Sequence, residues 1–177
     1  MALPDHFKTD FANTQVIWGE SGASGVTNTL TFEALASGSA RMGAEDDLGA
    51  TPPPRVKVEL RIETGTAPTA GGRVDLYLAW GDDGTTYPGG VSGSDGAWPS
   101  DGNEDEHVKA LEYVGSLVAT NDGNTVQVQG PWIVPVRGRY VVPVVDNNMD
   151  QAVRDESTAT DNDSRVIMTL LDDQVED

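Results

Sequence analysis

Between Arg55 and Glu63 the chain alternates without a break. Val56, Val58, Leu60 and Ile62 are branched and apolar, and Arg55, Lys57, Glu59, Arg61 and Glu63 around them are charged. A strand points successive side chains to opposite faces, so this period of two sets the four apolar residues against a core and the five charged ones in water. Arg73 to Trp80 repeats the pattern, with Val74, Leu76, Leu78 and Trp80 on one face and Asp75, Tyr77 and Ala79 on the other. Both segments read as strands of half-buried antiparallel sheets.

Further strands are predicted at Thr14–Trp18, Asn28–Leu35, Ser39–Met42, Glu112–Ala119, Thr125–Gln129, Pro131–Val136, Tyr140–Val145 and Arg165–Leu171. Pro52-Pro53-Pro54 fixes an extended lead-in to the Arg55 strand, and the Gly-, Thr- and Pro-rich loop 64–72 joins it to the next strand as an antiparallel neighbour. Asn121-Asp122-Gly123-Asn124 predicts a tight hairpin, since an Asp-Gly pair accepts positive φ. Arg137-Gly138-Arg139 predicts a second. Pro135 and Pro143 cannot donate to a ladder and belong at a sheet edge, a bulge or a strand start. Polar residues 146–164 hold at most one helical turn, around Met149–Val153.

Short strands between Gly/Pro turns, with almost no helix, specify an all-β antiparallel sandwich, of jelly-roll type. An immunoglobulin-like sandwich is the alternative, although its cysteine hallmark has no counterpart here. The 177 residues fit one sandwich domain over 14–171, preceded by an extended arm at 1–13 and followed by an acidic tail at 172–177. Residues 81–106 show no period and are rich in glycine and acid, as in a functional loop or one ordered by a partner.

The balance of 29 acidic against 11 basic residues, net −18, disfavours nucleic acid and anionic membranes, whose phosphates need clustered Lys and Arg. It favours solubility, a saline medium or a basic partner. The chain has no cysteine, so disulfides and thiolate sites are excluded. No leader pattern opens the sequence and no apolar run approaches the roughly 20 residues of a membrane span, so synthesis in a cytoplasm is expected.

Catalytic signatures are weak. His6 and His107 are the available imidazoles, and no Gly-x-Ser-x-Gly elbow occurs. Asp101, Asn103 and Asp105 place oxygen ligands at the first, third and fifth positions of a calcium-type loop, but Glu106 stands where an EF-hand needs glycine. Tyr87 and Trp98, flanked by Asp and Gly, either anchor the long loop or stack on a sugar. Arg137 and Arg139 either keep a hairpin tip from edge pairing or grip a carboxylate of another subunit. Phe7 and Phe11 are candidates for docking onto a neighbour.

The run over 56–98 carries Arg-Val-Lys-Val-Glu-Leu-Arg-Ile-Glu-Thr-Gly from its lead-in residue. Gly-Gly-Arg-Val-Asp-Leu-Tyr-Leu-Ala-Trp, Asp-Asp-Gly-Thr-Thr-Tyr and Ser-Asp-Gly-Ala-Trp-Pro follow. It resembles small virion proteins of tailed bacteriophages. The resemblance implies a non-enzymatic capsid decoration, or cement, protein on the outer shell, commonly a homotrimer, binding the major capsid protein between capsomers. The arm with Phe7 and Phe11 would then order against the shell. The alternative function is a carbohydrate-binding, head-fibre or tail accessory domain contacting host glycans through Tyr87 and Trp98. An enzyme of jelly-roll type would need a concave row of His, Glu and Arg that two histidines do not supply.

Overall fold

The computed structural model describes residues 7–33, 35–99, 104–154 and 164–175. Eleven strands run through them: β1 (Phe7–Gly19), β2 (Asn28–Thr29), β3 (Ser39–Met42), β4 (Asp46–Asp47), β5 (Arg55–Glu63), β6 (Arg73–Gly81), β7 (Gly96–Trp98), β8 (Glu112–Val118), β9 (Val126–Pro135), β10 (Tyr140–Asn148) and β11 (Arg165–Val175). A short helix, α1 (Glu104–His107), and a 3-10 turn at Val108–Ala110 interrupt the long loop. The strands form two packed sheets, β2-β1-β11-β5-β9 and β7-β3-β10-β6-β8, with β4 also on β10. Every pairing is antiparallel except β1 with β2. The molecule is an all-β sandwich.

The alternation read in β5 and β6 places their apolar faces between the sheets. Val56, Val58, Leu60, Val74, Leu76 and Leu78 are fully buried, with Val166 and Met168 from β11 and Trp18, Leu30 and Phe32 from the first part of the chain. Burying one large apolar side chain is worth about 1.5–3 kcal/mol, so this interior dominates the stability. Trp18 also donates its indole N–H to the Ala44 carbonyl at 2.7 Å, which satisfies its polar atom. Asn28–Leu35 departs from its prediction: only Asn28–Thr29 is strand, and Leu30 and Phe32 reach the core from irregular chain.

The predicted hairpins are corrected. β5 lies in one sheet and β6 in the other, and the same holds for β8 and β9 and for β9 and β10. The turns at 64–72, 121–124 and 137–139 therefore cross between sheets instead of joining paired neighbours. The two strands expected at Thr125–Gln129 and Pro131–Val136 are one, β9, running through a register shift and a cis Gly130–Pro131 bond. Pro135 closes this edge strand. Pro143 lies within the interior strand β10, but its carbonyl accepts from Gly43 N at 2.9 Å on the side where β3 ends and β4 begins. The N–H it lacks points into that break in the ladder. Residues 149–153 form bends and a bridge rather than a helical turn.

The arm and the tail pair with each other over part of their length. Residues 1–6 and 176–177 lie outside the described residues. From Phe7 onward the chain is strand, in register with β11: Phe7 with Val175, Asp10 with Asp172, Phe11 with Leu171. β5 stops at Arg55, paired with Leu171, because Pro52–Pro54 offer no N–H to continue the ladder. Beyond that point β1 and β11 continue as a two-stranded ribbon.

Candidate functional site

The long loop folds back over the outer face of the second sheet through its described parts, 82–99 and 104–111. Ala40 and Met42 from β3, Ala79 from β6, and Val142 and Val144 from β10 make a second core there with Val91 and Trp98. Tyr77, Tyr87, Val108 and Leu111 pack around it. This explains why β10 reads as buried on both faces, a pattern that two-faced alternation cannot produce.

Polar clamps fix the loop. Asp95 accepts from Arg41 Nε and Nη2, both at 2.8 Å, and from Thr31 N at 3.1 Å and Thr31 Oγ1 at 2.7 Å. Burial would raise the Asp95 pKa, but these donors outweigh it and hold the carboxyl below its usual range. Asp83 accepts from the Thr85 and Thr86 amides at 2.9 and 2.8 Å, and these backbone donors lower its pKa to about 2. Tyr87 donates its hydroxyl to Glu45. Burial first, and Glu45 second, push that hydroxyl well above the ordinary tyrosine range.

The two aromatic candidates thus sit together in the second core. Trp98 is 3% exposed and donates its indole N–H to the Gly89 carbonyl at 2.7 Å. It anchors the loop and presents no ring face for a sugar.

Arg137 and Arg139 hold carboxylates of their own chain. Arg139 forks onto Asp47, Nε to Oδ1 at 2.7 Å and Nη2 to Oδ2 at 2.5 Å, and lies 5.0 Å from the Tyr140 ring centroid. Arg139, with help from the Gly49 amide, lowers the Asp47 pKa to about 2. Arg137 Nε donates to Glu112 Oε2 at 3.0 Å, and Trp80 Nε1 donates to the same oxygen at 2.7 Å. These groups line an open cleft of about 400 Å³ at the mouth of the sandwich, with Leu78, Pro88, Ala110 and Leu111 as its apolar walls. The cleft escaped the sequence reading. Its signal was Trp80, the last inward residue of β6, which must lie where the two sheets part.

At the opposite end of the same outer face Asp75 and Asp146 are register partners, 3% and 8% exposed. Asn148 Nδ2 donates to Asp75 at 3.2 Å and to Asp146 at 2.6 Å, Arg73 Nε lies 3.0 Å from Asp75, and Ser116 donates its hydroxyl to Asp75. Burial, then these two carboxylates, raise the neighbouring Tyr77 to about 12. This pair was not anticipated, because a strand's odd positions read as solvated until something covers them.

Asp101 and Asn103, proposed from sequence as cation ligands, lie outside the described residues, as does the side chain of Asp105, whose backbone belongs to α1. Among the described residues no group of three or more His, Cys, Asp or Glu side chains is arranged to hold a metal ion. Phe7 and Phe11 are placed by their backbones alone, Phe7 in the ribbon and Phe11 opposite Leu171, where β5 ends. No protein-family model matches the chain, and no curated protein matches its sequence.

Proposed function

We propose that the chain is a non-enzymatic accessory of a virus shell, a decoration protein that binds the major capsid protein between capsomers, as its resemblance to small phage virion proteins implies. The observation that supports this reading is the ribbon. Phe7–Asp10 and Asp172–Val175 pair beyond the last β5 residue, so two strands extend past the edge of the five-stranded sheet. A two-stranded extension has a backbone edge along each side and little core of its own, which suits a segment that completes itself against another protein. Connections that cross between the sheets suit the jelly-roll type of sandwich expected for such a protein.

The test is cosedimentation with particles that lack the protein. Saturable binding at a fixed ratio to capsomers is the expected result. Deleting residues 2–13 removes one strand of the ribbon but keeps the Gln15–Trp18 ladder with β11, so particle binding should be lost while the circular dichroism spectrum and melting stay those of a folded sandwich. A folded full-length protein that does not bind, or a truncated one that binds as well as the intact chain, overturns the reading.

A further inference from the structure

The charge pair in the cleft at Trp80 is built differently from its counterparts elsewhere in the fold. Arg139 forks onto both oxygens of Asp47, and Arg41 onto both oxygens of Asp95, so neither carboxylate keeps an oxygen free of its arginine. Arg137 reaches Glu112 through Nε alone, at 3.0 Å, and the oxygen it meets is the one that already accepts the Trp80 indole N–H at 2.7 Å. Among the described residues no group pairs with Glu112 Oε1 or with either Nη of Arg137. The Glu112 side chain is 20% exposed and that of Arg137 62%, so an acceptor and a set of donors stand side by side where both residues line the cleft. The remaining walls are apolar: buried Leu78, half-buried Trp80 and Leu111, and exposed Pro88 and Ala110. A volume of about 400 Å³ lies within the roughly 300–1,000 Å³ of small-molecule sites.

We infer that this cleft binds a neutral sugar ring. The Glu112–Arg137 pair is neutral as a whole, so an ionic ligand would find its charge already countered, and an anion would also meet a chain of net charge −18. A hydroxyl both donates and accepts, so neighbouring hydroxyls satisfy Glu112 Oε1 and the Arg137 Nη atoms together, through charge-assisted hydrogen bonds. The C–H surface of a pyranose supplies the apolar contact for Trp80 and Leu111, whereas a linear polyol gives no such rigid apolar face. A free sugar and one ring of a longer glycan present the same groups, and an open cleft admits either. The inference does not depend on the shell reading, since it concerns the isolated protein, and it places sugar recognition away from the buried Trp98.

Titration of the isotope-labelled full chain with maltotriose, cellotriose, mannotriose and N-acetylated chitotriose, followed by NMR, tests it. The expected result is a saturable shift of the Trp80 indole N–H, the Arg137 Nε–H and the Glu112 amide with at least one of these sugars. The matching monosaccharide then separates the sources: equal binding supports a free sugar as ligand, and binding of the trisaccharide alone supports a ring within a glycan. Glu112→Gln keeps an acceptor for the indole, and Arg137→Ala removes a largely exposed side chain. Each should weaken binding by roughly tenfold, the loss of one charge-assisted hydrogen bond, in a protein that circular dichroism shows to be folded. No shift with any of the four sugars, shifts confined to other parts of the molecule, or folded variants that bind as tightly as the wild type overturn the inference. A preference at the same signals for an uncharged tripeptide, N-acetyl-Ala-Leu-Ala amide, over every sugar also overturns it and gives the cleft to a peptide.

Discussion

Trp132, on the edge strand of one sheet, fills the space that a side chain at Gly115, on the edge strand of the other, would need. A Cβ at Gly115 would stand 2.5 Å from Trp132 Nε1 and would overlap Cε2. The indole thereby closes one side of the sandwich, where β8 and β9 run along each other without sharing a ladder. Gly115→Ala must push the ring outward, and the overpacking is expected to cost about 1–3 kcal/mol in urea denaturation. Adding Trp132→Val should make the alanine nearly neutral; equal costs of Gly115→Ala in both backgrounds would show that the contact is unimportant.

Trp98 is the largest buried side chain of the second core. Trp98→Ala is expected to destabilise the protein by about 3–5 kcal/mol if loop and sandwich unfold together. If the roof opens by itself, amide exchange will quicken at Val91, Trp98 and Leu111 while Val58 and Leu60 keep their protection. Exchange by mass spectrometry separates the two outcomes.

Acid should loosen the turn at Arg139. The Asp47 carboxyl is held at about 2 in the folded chain, against an unfolded value of about 3.9. A carboxyl lowered in this way contributes stability that is fully present above the unfolded value and is lost as pH falls from about 4 towards 2. Arg139→Ala should therefore be less stable than the wild type at neutral pH, and the gap should narrow across that interval. A gap that stays constant from pH 7 to pH 2 would exclude this pairing as its source.

The strands that proved legible are those with a sustained apolar or alternating run between turn residues. β5 and β3 keep their predicted bounds, and β6, β8 and β10 differ from theirs mainly at the far end. Alternation identifies a strand without saying which sheet receives it, so the turns at 64–72, 121–124 and 137–139 read as hairpins although each crosses between sheets. The second core was hidden for a related reason: Val142 and Val144 interrupt the alternation of β10 only because Trp98 and Val91 return from a loop without period. Tyr87 and Trp98 stood out as aromatics in polar chain, and their shared position in that core needed the fold. The Trp80–Glu112–Arg137 arrangement joins three segments distant in sequence, and no local spacing announces it.

The place of β11 carries a consequence for how the protein comes to be folded. It is the last described strand in chain order, yet it lies between β1 and β5 and pairs with both along most of their lengths. Until residues 165–171 have been synthesised, β1 and β5 have no partner on that side, and the five-stranded sheet cannot close. Pairing that spans so much sequence is slow to form, and unpaired strand edges invite association in the meantime. Closure of the sandwich should therefore await synthesis of residues 165–171, with the charges of β5 protecting the nascent edge while it waits.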